Sequence, residues 1–121
     1  MNKIDFIDQK IKSLLDLPQQ WDGEHAERVT DAAGAVGVFV AFFLWGKYLD
    51  LAQFFPTATG GIQIEWFVNG NEVEIEIDKH GDVYCVSVDK TGSVVFDESI
   101  NISDIMMLHK VKQEIERVAT S

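Results

Sequence analysis

The tetrapeptide Val68-Asn69-Gly70-Asn71 constrains this chain more than any other stretch. Asparagine and glycine tolerate the positive φ that a type I′ turn demands at both centre positions, so Asn69-Gly70 predicts a two-residue β-hairpin. Placing the turn fixes the register. Trp66 faces Val73, Ile64 faces Ile75 and Ile62 faces Ile77, with all three apolar pairs on one side. The opposite side pairs Gln63 with Glu76, Glu65 with Glu74 and Phe67 with Glu72.

The next turn yields to the same reasoning. With His80-Gly81 as its centre, Ile77 is expected opposite Tyr84, Ile75 opposite Val86 and Val73 opposite Val88, which continues the apolar face. After Asp89-Lys90-Thr91-Gly92 a fourth strand is expected over Ser93 to Asp97. Its register is open, since either Val95 or the pair Val94 and Phe96 satisfies the alternation.

Helical periodicity flanks the strands. Ile4, Ile7, Ile11, Leu14 and Leu15 recur at helical spacing from Asn2 to Leu17, and Pro18 ends that segment. Thr30 or Asp31 is a good N-cap for the uncharged run Ala32 to Gly46, which falls short of the roughly 20 residues that span a bilayer. Gly34 and Gly37 each lower helix propensity there by about 1 kcal/mol relative to alanine. Either a close neighbouring backbone or a partner helix in an oligomer accounts for them. Val38, Phe39, Val40, Phe42, Phe43, Leu44 and Trp45 exceed what one face can bury, so this helix is a candidate homodimer seam.

A last helix, capped by Asn101 or Ser103, carries the stripe Ile105, Leu108, Val111, Ile115 and Val118, with Lys110–Glu114 and Lys112–Glu116 spaced as i,i+4 pairs. The expected fold is α+β: an antiparallel four-stranded β-meander packed on one face by helices, in the order α-α-β-β-β-β-α. A chain of 121 residues forms one domain, residues 1–121.

Charge narrows the function classes. The net charge is −10, and residues 61 to 100 carry nine acidic against two basic residues. Such a surface repels nucleic acid and anionic membranes. No stretch near the start has a signal-peptide layout, so the cytoplasm is the expected compartment. The single cysteine, Cys85, cannot form an internal disulfide and reads as a buried, inert thiol in a strand.

The acidic hairpin face is the chief chemical feature. Directly opposed carboxylates with Cβ atoms about 5 Å apart are destabilising. Glu72, Glu74 and Glu76 repeat along one strand about every 6.6 Å, with Phe67 at the edge of the ladder. Three readings compete: a solvated face, a surface for a basic partner, and a hard-cation site. Calcium takes six to eight oxygens from a curved loop, which a strand face does not supply.

Signals for catalysis are sparse. His25, His80 and His109 fall in a loop, a turn and a helix, without metal-site spacing. Asp78, His80 and Asp82 share a turn that reads as a polar hairpin end or, less simply, as a cation site. Glu24 with His25 lacks a nucleophile, and no Gly-x-Ser-x-Gly is present. No cofactor or metal is expected, and an enzyme is not the favoured reading.

Two motifs remain. Trp21-Asp22-Gly23, with Ala26 and Val29, is followed some thirty residues on by Pro56-Thr57 and Gly60-Gly61-Ile62-Gln63-Ile64-Glu65-Trp66. Together they resemble a group of short bacterial and phage proteins whose shared pattern runs Trp-Asp-Gly-x-Gly-Ala, then Pro-Thr-x-x-Gly-Gly-Ile-Gln-Leu-Glu-Trp. The resemblance covers about residues 14 to 80. His25 stands where the group tends to have glycine, and Arg28 where it tends to have proline. The group carries no established activity, so the resemblance implies a single domain and leaves function to the residues themselves.

Physically the two motifs read as one structural clasp of Trp21, Asp22, Gly23, Gly60, Gly61 and Trp66. Trp21 is expected near the Gly60-Gly61 strand entrance, with Asp22 accepting hydrogen bonds from its own turn. The expected function is a non-enzymatic acidic inhibitor that uses Glu65, Phe67, Glu72, Glu74 and Glu76 to occupy a basic, nucleic-acid-binding site on a partner such as a nuclease, defence protein or toxin. Phage anti-defence proteins (anti-CRISPR proteins among them) and immunity or antitoxin proteins are the classes of this size and charge. The alternatives are a small-ligand or metal-dependent enzyme with a notch lined by Trp21, Asp22, His25 and Glu65, and a homo-oligomeric structural module.

Overall fold

A computed structural model describes residues 2–44, 46 and 48–121. Among these, three α-helices lie against one five-stranded antiparallel sheet of order β1-β2-β3-β4-β5. The helices are α1 (Lys3–Leu15), α2 (Asp31–Phe43) and α3 (Ile105–Ala119). The strands are β1 (Gln53–Pro56), β2 (Ile62–Val68), β3 (Asn71–Ile77), β4 (Val83–Val88) and β5 (Val94–Ile100). Trp45, part of the expected seam, lies outside the described residues.

Capping side chains set the helix starts. Asn2 accepts from the Asp5 amide at 2.9 Å and Thr30 from the Ala33 amide at 3.1 Å. The Thr30 hydroxyl also donates to the Lys79 carbonyl at 2.6 Å, fixing the start of α2 against the β3–β4 turn. The third helix is capped by Asp104, not by Asn101 or Ser103. Asn101 instead accepts from the Ser103 amide and forms a separate turn ahead of the helix. Ile105, the first residue of the helix, is exposed, and the buried stripe begins at Leu108. Glu114 meets Arg117 rather than Lys110.

The β2–β3 hairpin has the register that its Asn-Gly turn dictates, from Ile62 opposite Ile77 to Val68 opposite Asn71. The β3–β4 register differs by one residue from expectation: Ile77 faces Val83, Ile75 faces Cys85 and Val73 faces Ser87. Asp78 is the cause. Its carboxylate accepts from the His80 and Asp82 amides, and Gly81 takes φ +88°, which makes a three-residue loop in place of a two-residue turn. One slipped position exchanges the faces, so Tyr84, Val86 and Val88 point outward and Cys85 and Ser87 inward.

The sheet has five strands, not four, because β1 adds to the edge of β2, with Phe54 opposite Ile64. The strand after the Asp89–Gly92 turn runs to Ile100. Phe96 lies opposite the inward Ser87, and a bulge leaves both Val94 and Val95 exposed.

The core lies between the inward sheet face and the helices. Ile62, Ile64, Trp66, Val73, Ile75, Ile77, Val83 and Cys85 meet Ile7, Ile11, Val40, Leu108, Val111 and Val118 there. The indole N–H of Trp66 donates to the Tyr48 carbonyl at 3.0 Å and ties the α2–β1 connection to the sheet. Gly34 and Gly37 are explained within the chain, by side chains of α1 and the sheet and not by a partner helix. A Cβ at Gly34 would stand 2.9 Å from a Leu15 methyl, and one at Gly37 would stand 3.1 Å from Ile11 and 3.3 Å from Ile62.

One polar group is fully buried by the actual register. Ser87 Oγ accepts from Arg117 Nη2 at 2.8 Å, and the same guanidinium reaches Glu114 and Asn71 Oδ1. Asn71 Oδ1 also accepts from the Lys90 amide at 3.1 Å. A buried hydroxyl in an apolar layer requires such a partner, and Arg117 of α3 supplies it.

Candidate functional site

The helices cover the inward sheet face and leave the outward face open. From β1 to β5 this face presents Gln53 and Phe55, then Gln63, Glu65 and Phe67, then Glu76, Glu74 and Glu72, then Tyr84, Val86 and Val88, then Ser99 and Asp97. The five strands contain no lysine or arginine. Among the described residues the ion pairs are Lys79–Glu27 and Arg117–Glu114, and neither reaches the ladder.

The expected residues Glu65, Phe67, Glu72, Glu74 and Glu76 are thus brought together on one surface. Direct opposition of Glu65 to Glu74 and of Phe67 to Glu72 follows the Asn-Gly register. Glu65, Glu72 and Glu74 are half-buried by neighbouring side chains, whereas Glu76 is exposed. Burial first, and the adjacent Glu65 second, raise the Glu72 carboxyl above its ordinary value. Glu74 is raised by burial and then by Glu72, Glu65 and Glu76. Gln63 offsets part of the charge by donating to Glu65 at 3.2 Å.

Apolar and aromatic groups frame these carboxylates. Phe67 is 63% exposed, and Phe55 and Tyr84 are exposed on neighbouring strands. The slipped β3–β4 register sets Tyr84 opposite Glu76, Val86 opposite Glu74 and Val88 opposite Glu72. A two-residue turn at His80-Gly81 would set these three inside, and the readable signal for their true side is the Asp78-x-x-Gly81 spacing of a three-residue loop. The Tyr84 hydroxyl donates to Asp97 across β4 and β5, and that carboxylate raises the phenol above its ordinary range.

The clasp lies at one end of the sheet. Asp22 accepts from the Glu24 and Ala26 amides at 2.9 and 3.1 Å, and these bonds hold its carboxyl below its ordinary value. The half-buried Trp21 donates its indole N–H to the Glu27 carbonyl at 3.2 Å. Glu27 in turn donates its amide to Ala58 at 2.8 Å and bridges Thr59, and the Thr30 amide donates to the Gly60 carbonyl at 3.1 Å. Gly61 enters β2 so close to β3 that an added Cβ would stand 2.3 Å from the Ile77 carbonyl. Trp21-Asp22-Gly23 and Gly60-Gly61 are therefore one hydrogen-bonded assembly, with Trp66 five residues beyond Gly61 on β2 in the core.

Asp22 is taken up by loop amides, and Glu65 stands on the outward face of β2, directly opposite Glu74. Asp78 and Asp89 repeat the Asp22 device, each accepting amides two and four residues ahead. Among the described residues no group of three or more His, Cys, Asp or Glu side chains is placed to hold a metal ion. Cys85 is buried, and burial foremost pushes its thiol up to about 12. No described helix is long and apolar enough to cross a membrane.

Fold and site define a two-layer α+β domain with a helix-covered face and an open face of carboxylates and aromatics. No protein-family model, curated protein or solved structure matches the chain.

Proposed function

We propose that this chain is a non-enzymatic, acidic protein-binding inhibitor whose outward sheet face occupies a basic, nucleic-acid-binding site on a partner protein. The observation that carries the reading is the uncompensated ladder: Glu65 directly opposes Glu74, Glu72 and Glu76 flank it, and no cationic side chain stands on any strand. With no lysine or arginine on the strands that carry them, these groups repel one another in the free protein. Lysines or arginines of a partner entering between them turn that repulsion into attraction, and Phe67, Tyr84 and Val86 supply apolar contact beside the charge.

The mechanism is steric and electrostatic occlusion. A partner site built to neutralise phosphates meets carboxylates at fixed positions, and the inhibitor excludes nucleic acid while performing no reaction. Phage anti-defence proteins and immunity or antitoxin proteins belong to the class that works this way, and the clasp motifs give the reading its rigid frame rather than a second site.

The test compares tagged wild-type protein with E65K/E74K/E76K for the proteins each retains from host lysate. The expected result is a basic nucleic-acid-binding protein held by the wild type, released by salt, displaced from its nucleic acid by the chain, and lost by the folded triple variant. Retention of the same proteins by both versions, or binding indifferent to salt, refutes the reading.

A further inference from the structure

The second helix buries one face and leaves the other bare. Ala33, Gly34, Gly37, Val40 and Ala41 are buried, whereas Ala32, Ala35, Phe39 and Phe42 on the far side are exposed. Phe39 is 46% and Phe42 57% exposed. At 100° per residue these four side chains form a stripe centred opposite Gly37, on the surface turned away from α1 and the sheet. The stripe is small at its N-terminal end and large at its C-terminal end.

Its spacing is self-complementary. Ala32 and Phe42 each lie five positions from Gly37, and Ala35 and Phe39 each lie two. Two copies of α2 laid antiparallel about a two-fold axis at the level of Gly37 bring Ala32 level with Phe42 of the second copy, and Ala35 level with its Phe39. Every layer then holds one small and one large side chain, the alternation that lets two helices approach closely.

Charge selects the same face. The chain carries −10, so most surfaces of two copies repel, and two outward sheet faces would set carboxylates against carboxylates. Residues 32–44 are uncharged, and an antiparallel pair sets each helix N-terminus beside the other's C-terminus. We propose that this stripe is the seam of a symmetric, antiparallel homodimer of the chain. One helix pair buries less than the roughly 800 Å² per partner of a standard interface, so the dimer belongs with weak, concentration-dependent associations. Because α2 packs on β2 and β3 through its opposite side, dimerisation leaves both acidic sheet faces uncovered and directed apart.

Sedimentation velocity of the full chain and three variants, from about 10 µM to about 1 mM, tests the seam across the range where a small interface forms. Wild type is expected to shift toward dimer as concentration rises, and Phe42→Lys to remain monomeric with an unchanged circular dichroism spectrum. Ala35→Phe sets two phenylalanines in one layer and is expected to abolish the shift, whereas A35F/F39A restores one large and one small side chain and recovers it. Should Ala35→Phe unfold, oxidation of A35C/F39C provides the second readout, since native Cys85 is buried: covalent dimer is expected only from the double variant. A wild-type monomer at the highest concentration, a dimer insensitive to Phe42→Lys, or failure of A35F/F39A to recover overturns the proposal.

Discussion

Glu74 is held among like charges, and its replacement by glutamine is expected to stabilise the free protein. Glu65 stands directly opposite, and Glu72 and Glu76 stand two residues away on the same strand. At a separation of about 5 Å, two unit charges in water repel by about 0.8 kcal/mol, which a Debye length near 8 Å reduces to roughly 0.5 kcal/mol. Each same-strand neighbour at about 6.6 Å adds roughly 0.3 kcal/mol after screening. Glu74→Gln should therefore gain about 1 kcal/mol, a rise in Tm of roughly 4 °C for a domain of this size.

The assay is urea unfolding of wild type, E65Q, E74Q and E65Q/E74Q at low and high salt. The double-mutant cycle isolates the Glu65–Glu74 pair, expected to be repulsive by about 0.5 kcal/mol near physiological salt and to fall below about 0.2 kcal/mol at 1 M salt. Because the Glu74 carboxyl is raised above 4.5 in the folded chain, the folded state holds that proton more tightly than the unfolded one. The advantage of glutamine should accordingly be present at pH 7 and vanish as pH falls below 4.5. An attractive coupling, or one that salt leaves unchanged, would refute the reasoning. Partner binding should move the opposite way, so that E74Q gains stability while losing affinity.

Other expectations follow from the same geometry. Arg117→Ala strands the buried Ser87 hydroxyl and should destabilise by about 1–3 kcal/mol in urea unfolding, with much of that loss removed in the S87A background. Asp22→Ala should speed hydrogen exchange at the Glu24 and Ala26 amides while leaving the β2–β3 amides protected, and D22N, which keeps an acceptor, should do so less. The pH dependence of stability should peak in mildly acidic solution. Glu72 and Glu74, raised above 4.5, lower stability as pH climbs past that value, whereas Asp22, Asp78 and Asp89, held below 3.8, withdraw their contribution as pH falls beneath it. Urea midpoints measured from pH 3 to 8 check this, and E72Q/E74Q should flatten the decline on the neutral side.

What was legible in the sequence was whatever short-range chemistry decides. The Asn69-Gly70 turn allows one hairpin register, so the opposition of Glu65 to Glu74 and the inward position of Trp66 were readable from residues close in the chain. The inner parts of two helical stripes, Ile7 to Leu14 and Leu108 to Val118, were readable for the same reason, as was a cap at Thr30 or Asp31, which Thr30 fills. Ile4 and Ile105 at the stripe ends are exposed. The Asp78 turn was a local signal of a different kind. Its side chain lengthens the loop by one residue, and that exchange of faces moved Tyr84, Val86 and Val88 onto the acidic surface and Ser87 into the core.

Tertiary structure decided the rest. Strand β1 has four residues ending in Pro56, too few for a periodic pattern, and it is a strand because β2 offers an open edge of backbone donors and acceptors. Gly34 and Gly37 took their meaning from α1 and the sheet, which no spacing within α2 reveals. Arg117 reached Ser87 because a buried hydroxyl must be satisfied by whatever donor the packed helix brings near. Local sequence specifies turns and faces through backbone conformation and periodicity, whereas edges, close approaches and buried polar partners exist once distant segments share a surface.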